Sequence, residues 1–239
     1  MRWLGRRPSN RIEGSLFRGI HPFITRLGLS GCRGRRDWTG GPVGRSMRIA
    51  LVICGALARE VLALREKHGW EADVLAVPSL LHNEPDRILG AVLDRIRQAR
   101  QSHERVVVVY GDCGTGGRMD ALLEAEGVQR VAGPHCYEMY ANGRFESLMS
   151  EAPGTYFLTD YLVQSFDHLA IAGMGLDRHP ELRHECFRNY TRAVYLAQRD
   201  DPALKVRARW AAEYLELPLV IVDVGYGLLE SRLMELTKP

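Results

Sequence analysis

The sequence predicts an α/β fold: a mostly parallel sheet flanked by helices, with a helical segment before the last strand. Two short runs, "RIALVIC" (48–54) and "RVVVVYG" (105–111), are almost wholly apolar over the length of a strand, as strands covered on both faces are. Between them, "DRILGAVLDRIRQAR" (86–100) places Ile88, Leu89, Val92, Leu93 and Ile96 on one helical face. Alternation of such runs with such helices is the pattern of βαβ units.

The remaining elements follow in order. "GALAREVLALREKHG" (55–69) reads as a helix closed by Gly69, and "ADVLAVP" (72–78) as a strand stopped by Pro78. A glycine-rich loop, "GDCGTGG" (111–117), opens a helix near Gly117, and residues 128–132 form a short strand ended by Gly133-Pro134. "PGTYFLTDYLVQSFDHLAIAGMG" (153–175) begins as a turn and short strand and becomes helical, with Thr159 or Asp160 as its cap. Residues 179–198 read as a helix with Pro180 in its first turn, and 201–217 as another behind an Asp cap with proline at N1. "PLVIVDVGYG" (218–227) returns to strand, so that Gly225 and Gly227 would border the strand-end cleft.

Charge divides the chain. Residues 1–46 hold ten arginines and two acids, Glu13 and Asp37, a net of +8, whereas the rest carries 22 basic and 27 acidic side chains, a net of −5. The basic character therefore belongs to a leader, and is poor support for a nucleic-acid-binding domain. That leader lacks a continuous apolar core of the secretory type, and reads as a transit peptide, a disordered extension or an over-long start before Met47. The expected domain is 47–239. No apolar run reaches the ~20 residues of a membrane span. Five cysteines without CxxC spacing argue against a disulfide framework and for a reducing cytoplasm.

Three of those cysteines share a place in the pattern. Cys54 ends the first strand, Cys113 lies just beyond the valine strand, and Cys136 follows the next. Parallel strands direct their C-terminal ends to one edge, where open α/β sheets place ligands, so the three thiols are expected to converge. Three thiolates suit a zinc ion completed by a histidine or water, with His135 nearest, or an iron–sulfur cluster with one open iron. The alternative is that each cysteine is a small buried hydrophobe. Cys186, inside the helix predicted over 180–198, could be a fourth ligand but reads more simply as core.

Other residues offer weaker chemistry. Gly114, Thr115, Gly116 and Gly117 would present amides to a phosphate or carboxylate at a helix start, although the loop is neither a Walker motif nor GxGxxG. Asp112 beside the central thiol is a candidate proton carrier, against the commoner role of an Asp that forms a turn. His135 is a candidate ligand or general base, against polar packing. Thr155, Tyr156, Thr159 and Asp160 face a substrate only in the minority reading. His179 and His184 stand five residues apart, which spreads them around a helix and excludes a shared metal.

The motifs together resemble the bacterial and archaeal domain-of-unknown-function family 1638: "CG" after the first strand, "YGDCGTGG", "GPHCYEMYANG", "PGTYFLTDYLVQSFD", "MGLDRHPEL", "NYTRAVYLAQ" and a late "GYG". The resemblance covers about residues 47–236 and none of the leader. It implies a cytoplasmic α/β protein associated with corrinoid-dependent methyltransferases and other one-carbon enzymes, but no assigned activity. Some relatives carry a further cysteine where this chain has Tyr137, Glu138 and Met139. The resemblance therefore implies at most three thiolate ligands here.

The expectation is a cytoplasmic metalloprotein with Cys54, Cys113 and Cys136 on zinc or an iron–sulfur cluster. Sulfur or methyl-group chemistry would act on a small molecule or a corrinoid methyltransferase component, without nucleic acid or membrane. The alternative is a non-catalytic accessory protein that binds a small anion.

Overall fold

A computed structural model describes residues 48–238; the leader and Cys32 lie outside the described residues. The chain builds two parallel sheets rather than one. The first sheet contains β1 (Ile49–Cys54), β2 (Ala72–Val77), β3 (Arg105–Val109) and β4 (Gln129–Arg130), in the order β2-β1-β3-β4. The second contains β5 (Thr155–Thr159), β6 (Arg192–Ala197) and β7 (Leu219–Asp223), in that order.

β1 is buried along its whole length because it lies between two strands and under helices on both sides. A single-turn 3-10 segment leads from it into α1 (Ala58–His68), which closes at Gly69 in the left-handed region, φ 64°. α2 (Ile88–Arg100) buries Ile88, Val92 and Ile96, the apolar spacing of the sequence made into one face. α3 (Arg118–Ala125) follows the glycine loop. The short α4 (Cys136–Tyr140) and α5 (Phe145–Glu151) then lead to the second sheet.

In the second half, Thr159 caps α6 (Asp160–Gln164) by accepting from the Leu162 amide at 3.3 Å. A π-helical turn over Asp167–Ala172 comes next, and then α7 (Arg183–Phe187). α8 (Pro202–Tyr214) starts behind Asp201, whose carboxylate accepts from the Ala203 and Leu204 amides, with Pro202 at N1 as expected.

One expectation is corrected here. Residues 179–198 are not one helix: α7 stops at Phe187, and Arg192–Ala197 form the central strand of the second sheet. Ala193 to Ala197 are buried on both sides, and a run that is apolar at every position carries no period to distinguish strand from helix.

α9 (Gly227–Leu236) returns to the first half and packs on α4. Gly227 has φ 54°, and a Cβ there would lie 2.4 Å from the Tyr140 carbonyl, so no other residue allows this approach. Arg232 holds both carboxylate oxygens of Glu138, at 2.6 and 2.8 Å. Gly227 therefore packs against α4 and is not a wall of the cleft.

Phe157, Val194, Leu196 and Val222 of the second sheet join the core of the first, while Leu158, Tyr195 and Ala197 on its other face pack with α6 and α8. Among the described residues no helix is long and apolar enough to cross a membrane.

Candidate functional site

β1 continues through α1 to β2 on one side, and β3 continues through α3 to β4 on the other. The strand order therefore reverses between β1 and β3, and open α/β sheets form a crevice at such a reversal. Cys54 is the last residue of β1, and Cys113 comes four residues after β3. Cys136 opens α4 behind β4. The three lie near enough to act on one another: negative charge on Cys54 would raise the pKa of Cys113, and charges on Cys113 and Cys54 would both raise that of Cys136.

Backbone geometry holds the thiols there. Gly111 passes so close to the following loop that a Cβ would lie 2.5 Å from His135 Cα. Two residues on, the Cys113 amide donates to the Pro134 carbonyl at 3.1 Å. Cys113 itself has φ 45°, a left-handed conformation that costs a non-glycine residue energy and recurs at functional sites.

The surroundings favour neutral thiols. Burial pushes Cys54 up to about 11 and Cys113 up to about 12, and drives Cys136 well above the ordinary thiol value. Tyr110, fully buried at the end of β3, is also raised, first by burial and then by negative charge on Cys54 and Cys113. Its hydroxyl interacts with the Cys54 thiol, which lowers the thiol's pKa slightly against the effect of burial, but the two are not placed for a full hydrogen bond. Among the described residues, no group of three His, Cys, Asp or Glu side chains is already placed to hold a metal ion.

The glycine loop is occupied by its own aspartate. The Asp112 carboxylate accepts from the Gly116 amide at 2.9 Å, from the Gly117 amide at 3.0 Å and from the Thr115 hydroxyl. Burial raises the Asp112 pKa. The bonds from Thr115, Gly117 and Gly116, with the charge of Arg130, outweigh that and hold the carboxyl below its usual range. Asp112 therefore stays ionised and turned into the loop, which suits a turn-former and not a proton carrier. Thr115 is buried, and of the four loop residues only Gly114 reaches the cavity described below. Three of the four amides expected to cradle an anion, those of Thr115, Gly116 and Gly117, are already bonded to Asp112.

His135 caps α4: its Nδ1 accepts from the Glu138 amide at 3.4 Å, which assigns the proton to Nε2. Burial lowers its pKa and favours the neutral ring. The imidazole meets Phe145 edge-on, with centroids 4.6 Å apart. Cys186 is exposed and does not line the cavity, so it is neither core nor a fourth ligand.

Above the thiols lies a cavity of about 380 Å³ between the two halves. The first half contributes Cys113, Cys136, His135 and Tyr137, together with Ser79, His82 and Asn83 from the loop behind β2. The second contributes Tyr156, Thr159, Tyr161 and an apolar wall of Leu162, Leu169, Ala170 and Met174. Ser79 Oγ and Tyr161 Oη meet at 2.5 Å across the cleft. The sequence reading reached Tyr156 and Thr159 only as a minority view, and missed Ser79, His82, Asn83, Tyr161, Leu169 and Met174. Strand-end position was the one signal available for the loop behind β2; the π-helical turn bears no motif.

Asp160, only 1 % exposed, braces this wall. It accepts from the Tyr195 hydroxyl at 2.7 Å and the Gln198 amide at 3.0 Å, and pairs with Arg199 at 3.0 Å. Its role is structural.

No curated protein and no solved structure matches the chain. A family model does, over residues 76–233, under the description "Protein of unknown function (DUF1638)". That span contains Cys113, Cys136 and the cavity wall of the second half, and begins after β1 and Cys54. The match exceeds half of the chain and agrees with the motifs quoted above: the chain belongs to the DUF1638 family.

Proposed function

We propose that this protein is a metalloprotein in which Cys54, Cys113 and Cys136 hold a zinc ion or an iron–sulfur cluster at the floor of the inter-sheet cavity, open to a small molecule from above. The observation that carries the reading is that Cys54, Cys113 and Cys136 follow neighbouring parallel strands where strand order reverses, near enough to act on one another electrostatically, with Cys113 and Cys136 lining the cavity.

Two further observations fit a metal. Arg130 acts electrostatically on Cys113, yet burial outweighs the favourable interactions of all three thiols and disfavours bare thiolates; a metal ion would supply further positive charge. The buried Tyr110 hydroxyl faces Cys54 without closing a full hydrogen bond, and a metal-bound thiolate there would be a stronger acceptor for it. An open metal position facing the cavity suits the activation of a thiol or the transfer of sulfur or a methyl group. The family resemblance to proteins associated with corrinoid methyltransferases points the same way.

The test is metal and sulfide content with an absorption spectrum, on the full chain purified without oxygen. Each single Cys→Ala variant is expected to lose most of the metal.

A second reading is favoured by one observation, that among the described residues no three ligand side chains are already gathered. In it the cysteines are small core residues and the protein binds its ligand without metal. Retention of folding and ligand binding in the triple Cys→Ala variant would support that alternative.

A further inference from the structure

We propose that the inter-sheet cavity selects an uncharged small molecule, an apolar body with a hydroxyl or thiol head, and rejects carboxylates and phosphates. The inference rests on the cavity being the binding site proposed above, and not on the metal.

The carrying observation is the charge of the wall. Among the described residues, the cavity lining contains no Asp, Glu, Lys or Arg. The nearest sources of anion recognition are already committed. Arg118 binds Asp86 and the Thr115 carbonyl, Arg130 binds Asp120, and the Gly116 and Gly117 amides bind Asp112. The imidazoles are engaged through Nδ1, His82 with the Ser79 carbonyl at 2.7 Å and His135 with the Glu138 amide. An anion entering this space would shed its hydration and find no cationic side chain to replace it.

The wall offers two kinds of surface. Leu162, Leu169, Ala170 and Met174 of the second half form an apolar face, while Ser79 and Asn83 of the first half and Tyr161 of the second present neutral donors and acceptors, beside the thiols of Cys113 and Cys136. Such a wall fits an apolar body with a single neutral polar head, oriented by a few convergent groups. The Ser79–Tyr161 hydroxyl pair, 2.5 Å apart, can accept a third hydroxyl or thiol as both donor and acceptor.

The test compares four probes that share one ring and differ in the head: benzyl alcohol, benzyl mercaptan, benzoate and phenyl phosphate. Binding to the full chain is measured by calorimetry at pH 8. The alcohol and the thiol are expected to bind at least tenfold more tightly than either anion. Tyr161→Phe should weaken the alcohol several-fold. Met174→Lys, at a rim position 46 % exposed in the native chain, should raise benzoate affinity towards that of the alcohol. Equal or tighter binding of benzoate or phenyl phosphate to the unaltered chain would overturn the inference, and so would absence of binding by all four probes at millimolar concentration. Metal content measured on the same samples separates the two failures. A metal-free protein that still prefers the alcohol sinks the metal alone, whereas a metal-loaded protein without the preference sinks this inference alone.

Discussion

The Cys113 amide donates to the Pro134 carbonyl at 3.1 Å, so the loops behind β3 and β4 are tied together where two of the three thiols leave the backbone. The tie requires Gly111, whose missing side chain leaves room for His135. Placement of Cys113 against Cys136 is thus a backbone property, fixed before either side chain chooses a rotamer.

Replacement of that glycine tests the tie. In Gly111→Ala the new methyl has backbone on one side and cannot be accommodated by a rotamer change. The variant should lose about 1–3 kcal/mol, the usual cost of overpacking, and should bind metal less well than its folded fraction predicts. Urea denaturation and metal content on the same sample check both statements.

The Asp112 loop gives a second prediction. Asp112→Ala removes the acceptor for two amides and a hydroxyl. A loss of about 1–2 kcal/mol is expected, in the range of a charged acceptor shared with solvent. The emptied loop would then offer its amides to a ligand: phosphate or sulfate should stabilise the variant and leave the native protein unchanged, as thermal unfolding in each salt will show.

The fold was legible where one periodicity ruled, and the site where strand ends ruled. β1, α2 and β3 stand in the sequence as an apolar run, a clear helical face and a row of valines. β6 was misread because Ala193 to Ala197 are apolar throughout, and only the neighbouring strands decide that they extend. With β6 hidden, a second sheet could not be foreseen, nor could the cavity between the sheets. Strand-end position alone singled out Cys54, Cys113 and Cys136 as a candidate site. Occupation of the glycine loop by Asp112 was outside its reach, since a free and a filled amide cradle share one sequence.

Glu60 supplies a pH-dependent prediction. It is 3 % exposed, one carboxylate oxygen completes no hydrogen bond, and burial, with a smaller contribution from Asp160, raises its pKa. The folded state therefore binds this proton more tightly than the unfolded state. Its contribution to stability is full below the unfolded value, about 4.3, and is lost as pH rises through the folded one. Glu60→Gln keeps a neutral group of the same shape. It should match the native protein near pH 4 and exceed it in stability at pH 8, measured by denaturation at both.

Removal of Asp160 should do the reverse at every neutral pH. Asp160→Ala leaves Arg199 with Asp201 alone and strands the Tyr195 hydroxyl and the Gln198 amide, at a cost of about 3–5 kcal/mol for a broken buried pair. Asp160→Asn should recover part of this, because the amide oxygen still accepts. Chemical denaturation of both variants checks the order.

The most direct test of the central claim is X-ray absorption at the metal edge of the full chain purified without oxygen. The account predicts a shell of at least three sulfur neighbours at about 2.3 Å, the usual metal–thiolate distance, falling by one sulfur in whichever single Cys→Ala variant retains some metal. A shell made only of nitrogen and oxygen, or a protein that retains no metal at all, would contradict it.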